Sequence, residues 1–371
     1  MLVVPHFWGG CPMICNLMFY PFMTHSQTWR ALGLTLTDTI SLMLINLVLL
    51  VTSFRTLFHM YQDPKSITSI SRDGMTLGHI VTEEIKKKTM VRTLKKIAFL
   101  LSFQIMLPFC FAYLFLVVIE HFDTQSNWKW FIYGITTFQY TSAMFSTATV
   151  SGLVLLWYCT FNIQTLASGI NNLYFGADPG KNKLSFFKKP EGTKVDQPLC
   201  GMRFRIQQLI QDGNCLAHMI ENANSGTMGR LAFDESAIAL FYGVVGFFLS
   251  ISPSDFRDNW VLLIGFKLAC FLVAVSSMMR FLYLSAIGHK IENSITELKQ
   301  NLRHCLAGFQ LELLDEEQLQ IQLLKERFDD TRGIRPLNCF DLNYSSCLVV
   351  CGNLLTYLIV LLQFTITENT S

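Results

Sequence analysis

Charge is scarce in this sequence. Of 371 residues, 15% are charged and 51% are hydrophobic, with a mean hydropathy of +0.36, whereas soluble domains carry about 25% charged residues. Water cannot be the solvent for the whole surface. Regular cysteine spacing is lacking as well. The 11 cysteines are scattered, which argues against a disulfide framework or a zinc site. Cys11/Cys15 and Cys347/Cys351 sit four apart on apolar helices and read as small buried thiols. The histidines are dispersed, no carboxylate pair lies at membrane depth, and no phosphate-binding glycine loop appears. These gaps oppose an enzyme, and no metal, cofactor or nucleic-acid partner is expected. Internal repeats are missing and only Pro108 interrupts a firm span, which opposes a transporter built on broken helices. The first 23 residues hold no Lys or Arg and so lack the basic start of a signal peptide.

Long uncharged runs are present. A helix needs about 20 apolar residues to cross about 30 Å of hydrocarbon. Residues 97–119, 236–254 and 342–367 meet that need, 39–54 does so with the apolar flanks on both sides, and 259–284 does so while holding Lys267 and Arg280. The run 130–177 contains no charge. Trp130 to Phe161 is strongly apolar and the rest turns polar, so one long helix that leaves the membrane is expected. Residues 1–23, broken by Pro5, Pro12 and Pro21, are a weaker seventh span. The expected class is an all-α integral membrane protein with seven transmembrane helices.

The basic residues settle an expected orientation, because short loops rich in Lys and Arg stay in the cytoplasm. Segments 61–96, 162–230 and 285–343 hold eight, eight and seven of the 29, against one each in 24–32, 121–129 and 252–258. The richer segments are therefore cytoplasmic, the C-terminus is outside, and an odd number of spans puts the N-terminus inside. The same bias opposes a metabotropic seven-span receptor, which also should show an Asp-Arg-Tyr triplet or an Asn-Pro-x-x-Tyr run.

Two cytoplasmic stretches are amphipathic. From Lys290 to Arg327, Ile291, Ile295, Leu298, Leu302, Leu306, Phe309 and Leu313 step by three and four, the mark of one long helix. Arg203 to Asn222 repeats this with Ile206, Leu209, Ile210, Leu216 and Ile220. Such helices either lie on the membrane surface or pack as a bundle below it. The acidic run Glu312 to Glu317 favours the bundle, because anionic lipid would repel it. Asp178 to Leu199, rich in Pro, Gly and Lys, reads as a mobile loop.

The last span carries a polar stripe. Asn353, Thr356, Val360, Gln363 and Thr367 fall within about 80° of one another on a helix. Polar groups in an uncharged span face protein or water. The stripe either bonds to other helices of one bundle or lines a pore formed by symmetry, where apolar rings close the path by dewetting.

Thr356-Tyr357, five hydrophobic residues, then Gln363-Phe364 matches a pattern in the last span of insect gustatory receptors. The approach Gly333-Ile334-Arg335-Pro336-Leu337 through Asn343 is similar too, and the resemblance spans most of the chain beyond residues 1–30. It implies one channel-receptor subunit over 1–371. A ligand-binding helical part covers 1–288, a cytoplasmic anchor helix and linker cover 289–343, and a pore helix covers 344–367. It implies a taste receptor in the plasma membrane of sensory neurons, acting as a ligand-gated non-selective cation channel. Four subunits, alike or mixed with paralogues, would surround a path for monovalent cations and calcium. Asn353, Thr356, Val360, Gln363 and Phe364 would line or gate the pore, and Tyr357 would pack against a neighbouring helix. Leu358 stands where sugar-tuned members often carry Glu, which favours bitter or other small organic tastants. The pocket, fed from outside, would draw on Tyr113, Tyr133, Gln139, Tyr140 and Lys267. Gly243 and Gly246 read as close-packing positions rather than binding ones.

Overall fold

The computed structural model describes residues 58–80, 128–175, 198–252, 260–308, 314–331 and 333–370, with isolated helical positions between 41 and 102. Side chains in the 128–175 helix are described from Gly152 onward. The spans expected at 1–23, 39–54 and 97–119, and the loop 178–197, lie outside the described residues or touch them at single positions.

The described residues are helical. In chain order, α1 covers Pro64–Thr76 and runs into a 3-10 turn at Leu77–Ile80. Helices α2 (Trp128–Phe175), α3 (Pro198–Ser225), α4 (Thr227–Ile251) and α5 (Trp260–Gly308) follow. Helix α6 covers Asp315–Asp330, a short 3-10 turn covers Pro336–Asn338, and α7 covers Tyr344–Thr370. Within these helices four stretches are long and apolar enough to cross a membrane: Gly152–Phe175, Thr227–Ile251, Leu263–Ala307 and Tyr344–Phe364.

Local chemistry explains the ends. Asp63 caps α1 by accepting the Ser66 N–H at 3.1 Å, and Pro64 occupies the first helical position, where no N–H is needed. Helix α6 opens with Asp315, Glu316 and Glu317, which matches charge to the helix dipole at its start. The Glu317 carboxylate also accepts the Leu314 N–H at 3.2 Å.

That cap overturns one expectation. Residues 290–327 are not one helix. The first part is the end of α5, which runs unbroken from Trp260 to Gly308. The chain is extended at Leu314 (φ −66°, ψ 149°), and α6 begins at Asp315. The acidic run read as mid-helix is a helix start, and a boundary at 288/289 falls inside α5. Helix α2, by contrast, continues from its apolar half into its polar half as expected. Helices α2 and α5, with 48 and 49 residues, are each about 70 Å long, more than twice the hydrocarbon thickness.

The surplus length is packed in a bundle. The main core joins Ile70 and Leu77 of the first segment, Trp157, Ile163 and Ile170 of α2, and Phe281, Ile291 and Leu298 of α5. Every amphipathic position named in α3 is buried, from Ile206 to Ile220. Ile291, Ile295, Leu298 and Leu302 are likewise at most 1% exposed and meet them there. The apolar faces are thus covered by each other rather than turned to a surface. A smaller cluster of Val245, Phe248, Leu249 and Cys270 holds the other end of α4 against α5. Gly246 permits that approach, since a side chain there would meet the Cys270 carbonyl and Ala274. Gly243 serves similarly against Leu354 of α7 and Met278.

Candidate functional site

Among the described residues, helix α7 packs against α4 and α5 along one side. Leu354 (6% exposed) and Cys347 (5%) are buried. Leu358, Leu361 and Leu362 pack against the small cluster of α4 and α5. At 3.6 residues per turn these positions span about 100° of the helix. The stripe lies on the opposite side, centred roughly 160–200° away by the same pitch. Asn353, Thr356, Val360 and Gln363 are all exposed. Thr367 lies beyond the described side chains.

The rest of the circumference is sorted as well. Leu348, Leu355, Ile359 and Ile366 form a wholly apolar line between the attachment face and one border of the stripe, each 55–75% exposed. Tyr357 (55%) and Phe364 (62%) form an aromatic line along the other border. The Thr356 hydroxyl donates to the Gly352 carbonyl at 3.0 Å, so it is satisfied within its own helix. An amide such as Asn353 has no such short return and fits water or protein better than lipid.

The base of α7 is held firmly. The Asn343 carbonyl oxygen Oδ1 accepts the Ser346 N–H at 3.2 Å, and its Nδ2 donates to Glu292 of α5 at 3.1 Å. The His289 and Tyr344 rings meet at 4.7 Å. Gly288 lets the chain pass, because a Cβ there would overlap the Leu342 carbonyl.

The ligand-pocket residues are placed less completely. Tyr113 lies outside the described residues. Tyr133, Gln139 and Tyr140 lie on the backbone of α2; 133 and 140, seven apart, share one face to within about 20°. Lys267 is half-buried on α5. Of these five side chains only that of Lys267 is among the described ones. A small cavity lies between α2 and α4, lined by Thr56, Gly152, Leu156, Leu231, Asp234 and Glu235.

Two charge contacts escape a sequence reading. Glu235 of α4 faces Arg280 of α5 at 3.3 Å, each 4% exposed. Asp234, next to it, pairs with Arg55 at 2.9 Å and approaches His59 at 3.6 Å. The available signal was Arg280 itself, since a cation inside an apolar span demands a partner. In the bundle, Arg327 grips Glu221 with two bonds of 2.8 and 2.7 Å. That hydrogen bonding holds the Glu221 carboxyl below the usual carboxylate range, against the opposing effect of burial. Burial, with Asp73 and Asp212 nearby, pushes the Cys215 thiol up to about 11. Cys347 is a buried free thiol and Cys351 a half-buried one, as expected. Among the described residues no cluster suited to a metal ion occurs.

No protein-family model matches the sequence, and no curated protein matches it. Among solved structures the chain is similar to the insect olfactory receptor OR5 from Machilis hrabei. The sequence identity is 16%, with 94% of this chain and 88% of that chain covered, at a TM-score of 0.46. The same receptor in complex with eugenol is similar at 16% identity, with 89% and 88% covered and a TM-score of 0.43. At that identity and TM-score neither likeness carries a function over.

Proposed function

We propose that this chain is a subunit of a chemosensory, ligand-gated, non-selective cation channel, opened by a small extracellular tastant. One observation carries the reading. The polar stripe of α7 lies opposite its contacts with the described parts of α4 and α5, and the lipid-compatible line lies beside it. Packing within a single bundle would turn the stripe inward. Assembly around an axis gives it a place: four copies, alike or mixed, would bring four stripes together around water. The Thr356-Tyr357 to Gln363-Phe364 pattern supports the same arrangement and the gustatory type. Gln363 and Phe364 then form the gate, and the aromatic line meets the adjacent copy.

The charge bias supports seven spans in the plasma membrane, with the N-terminus and the helical bundle in the cytoplasm and the C-terminus outside. Amides and hydroxyls can hold hydrated monovalent cations and calcium without trapping them. A tastant opens the gate only through its preference for the open state. The test is calcium entry and whole-cell current from the chain expressed alone and with paralogous subunits, over a panel of bitter and sugar tastants. Tastant-evoked current that changes its ion selectivity or block in Gln363→Ala is expected. A surface-expressed chain that stays silent in every combination overturns the reading. A tag after Ser371 that is reached only in permeabilised cells overturns the orientation.

A further inference from the structure

At its far end the segment that leads into α7, residues 333–343, is tied to Glu292 of α5 through Asn343; at its near end one distant side chain binds its backbone twice. Asn224, 6% exposed near the end of α3, donates its Nδ2 to the Gly333 carbonyl at 3.0 Å. Its Oδ1 accepts the Arg335 N–H at 2.7 Å. One amide thus takes both polar groups that a neighbouring strand would otherwise take. The segment also closes on itself: the Leu342 N–H donates to the Ile334 carbonyl at 2.9 Å, and Arg335 pairs with Asp341 at 2.9 Å.

The loop closed in this way is strained. Gly333 has φ +145°, and Leu337 and Asn338 have φ +50° and +57°. Asparagine tolerates that region, but a leucine there crowds its own Cβ against the following carbonyl. Such residues persist where their surroundings over-determine them. Asn224 also sits at a corner. Three residues on, the Thr227 hydroxyl donates to the His59 and Asp63 carbonyls at 3.3 and 3.0 Å. The α3–α4 corner therefore holds the segment before α1 with one hand and the approach to α7 with the other.

We infer that Asn224 is a positioning residue for the last helix: its amide latches a strained linker whose release shifts the base of α7 and the gating equilibrium. This rests on the channel reading above. Strain and latch oppose each other, so two substitutions must act in opposite directions. Asn224→Ala removes both bonds and leaves the strain. Leu337→Gly removes the strain and leaves both bonds.

The experiment has two readouts on the full chain. The first is hydrogen exchange of the 333–343 amides in purified protein. Exchange at least about tenfold faster in Asn224→Ala, with α6 unchanged and Leu337→Gly no faster than wild type, is expected for local opening. The second is the half-maximal concentration of whichever panel tastant evokes the largest calcium entry in the wild type, normalised to surface abundance. Shifts of about fivefold or more, opposite in sign for the two variants, are expected. Asn224→Asp keeps the acceptor for Arg335 but sets a carboxylate oxygen against the Gly333 carbonyl, so its 333–343 amides should also exchange faster than wild type, which gives a second reading where alanine lowers abundance. Unchanged exchange in Asn224→Ala overturns the latch. Changed exchange with both dose curves unmoved, or moved the same way, overturns the coupling. A wild-type chain silent to every tastant overturns the channel reading and the gating role with it, while exchange still decides whether the latch exists.

Discussion

Asn353→Leu separates the two environments that the exposed stripe could face. Asn353 lies nine residues into α7, about 14 Å along its axis, near the middle of a 30 Å hydrocarbon layer. An amide turned to lipid at that depth costs about 1–3 kcal/mol by the measure of protein substitutions, and leucine inserts there favourably. If the stripe met lipid, the variant would gain stability of that order and conduct as the wild type does. In a water-filled axis the amide is already solvated, so the gain vanishes. The new ring of leucines instead narrows and dewets the path. The paired control is Leu355→Asn on the apolar line, 59% exposed. It should lose about 1–3 kcal/mol and leave selectivity untouched. The assay combines unfolding of the full chain in lipid nanodiscs with tastant-evoked current per surface subunit. At least a tenfold loss of current without a stability gain is expected for Asn353→Leu. A stability gain with undiminished current would refute the pore placement of the whole stripe.

Three further outcomes follow from the geometry. Glu235→Ala or Arg280→Ala leaves a lone buried charge and should cost about 3–5 kcal/mol, whereas Glu235→Leu with Arg280→Met should be near neutral; thermal melts of the three variants check this. Glu221 has a depressed carboxyl, so its stabilising effect is complete above the ordinary carboxylate range and is lost as acid brings the pH down through the depressed value. An acid titration of full-chain stability should therefore be flatter in Glu221→Gln than in the wild type. Cys215, with its thiol raised to about 11, should react with maleimide far more slowly at neutral pH than the exposed Cys339, as mass spectrometry of labelled peptides would show.

Much of this molecule is legible in its sequence because helical faces are local. A period of 3.6 residues placed Ile291, Ile295, Leu298 and Leu302 on one side of α5, and the structure buries that side. The same arithmetic aligned Asn353, Thr356, Val360 and Gln363. The break before Asp315 was hidden because the apolar period runs on towards it, and only the cap at Leu314 reveals the new start. Which side of a face is covered is not local. Asn224 lies 109 and 111 residues before the groups it binds, and Glu235 and Arg280 meet across two helices. The sequence alone determined that α7 has a polar side. Only the tertiary structure decided that this side lies opposite the contacts with α4 and α5, because burial depends on which surfaces the other helices bring within reach.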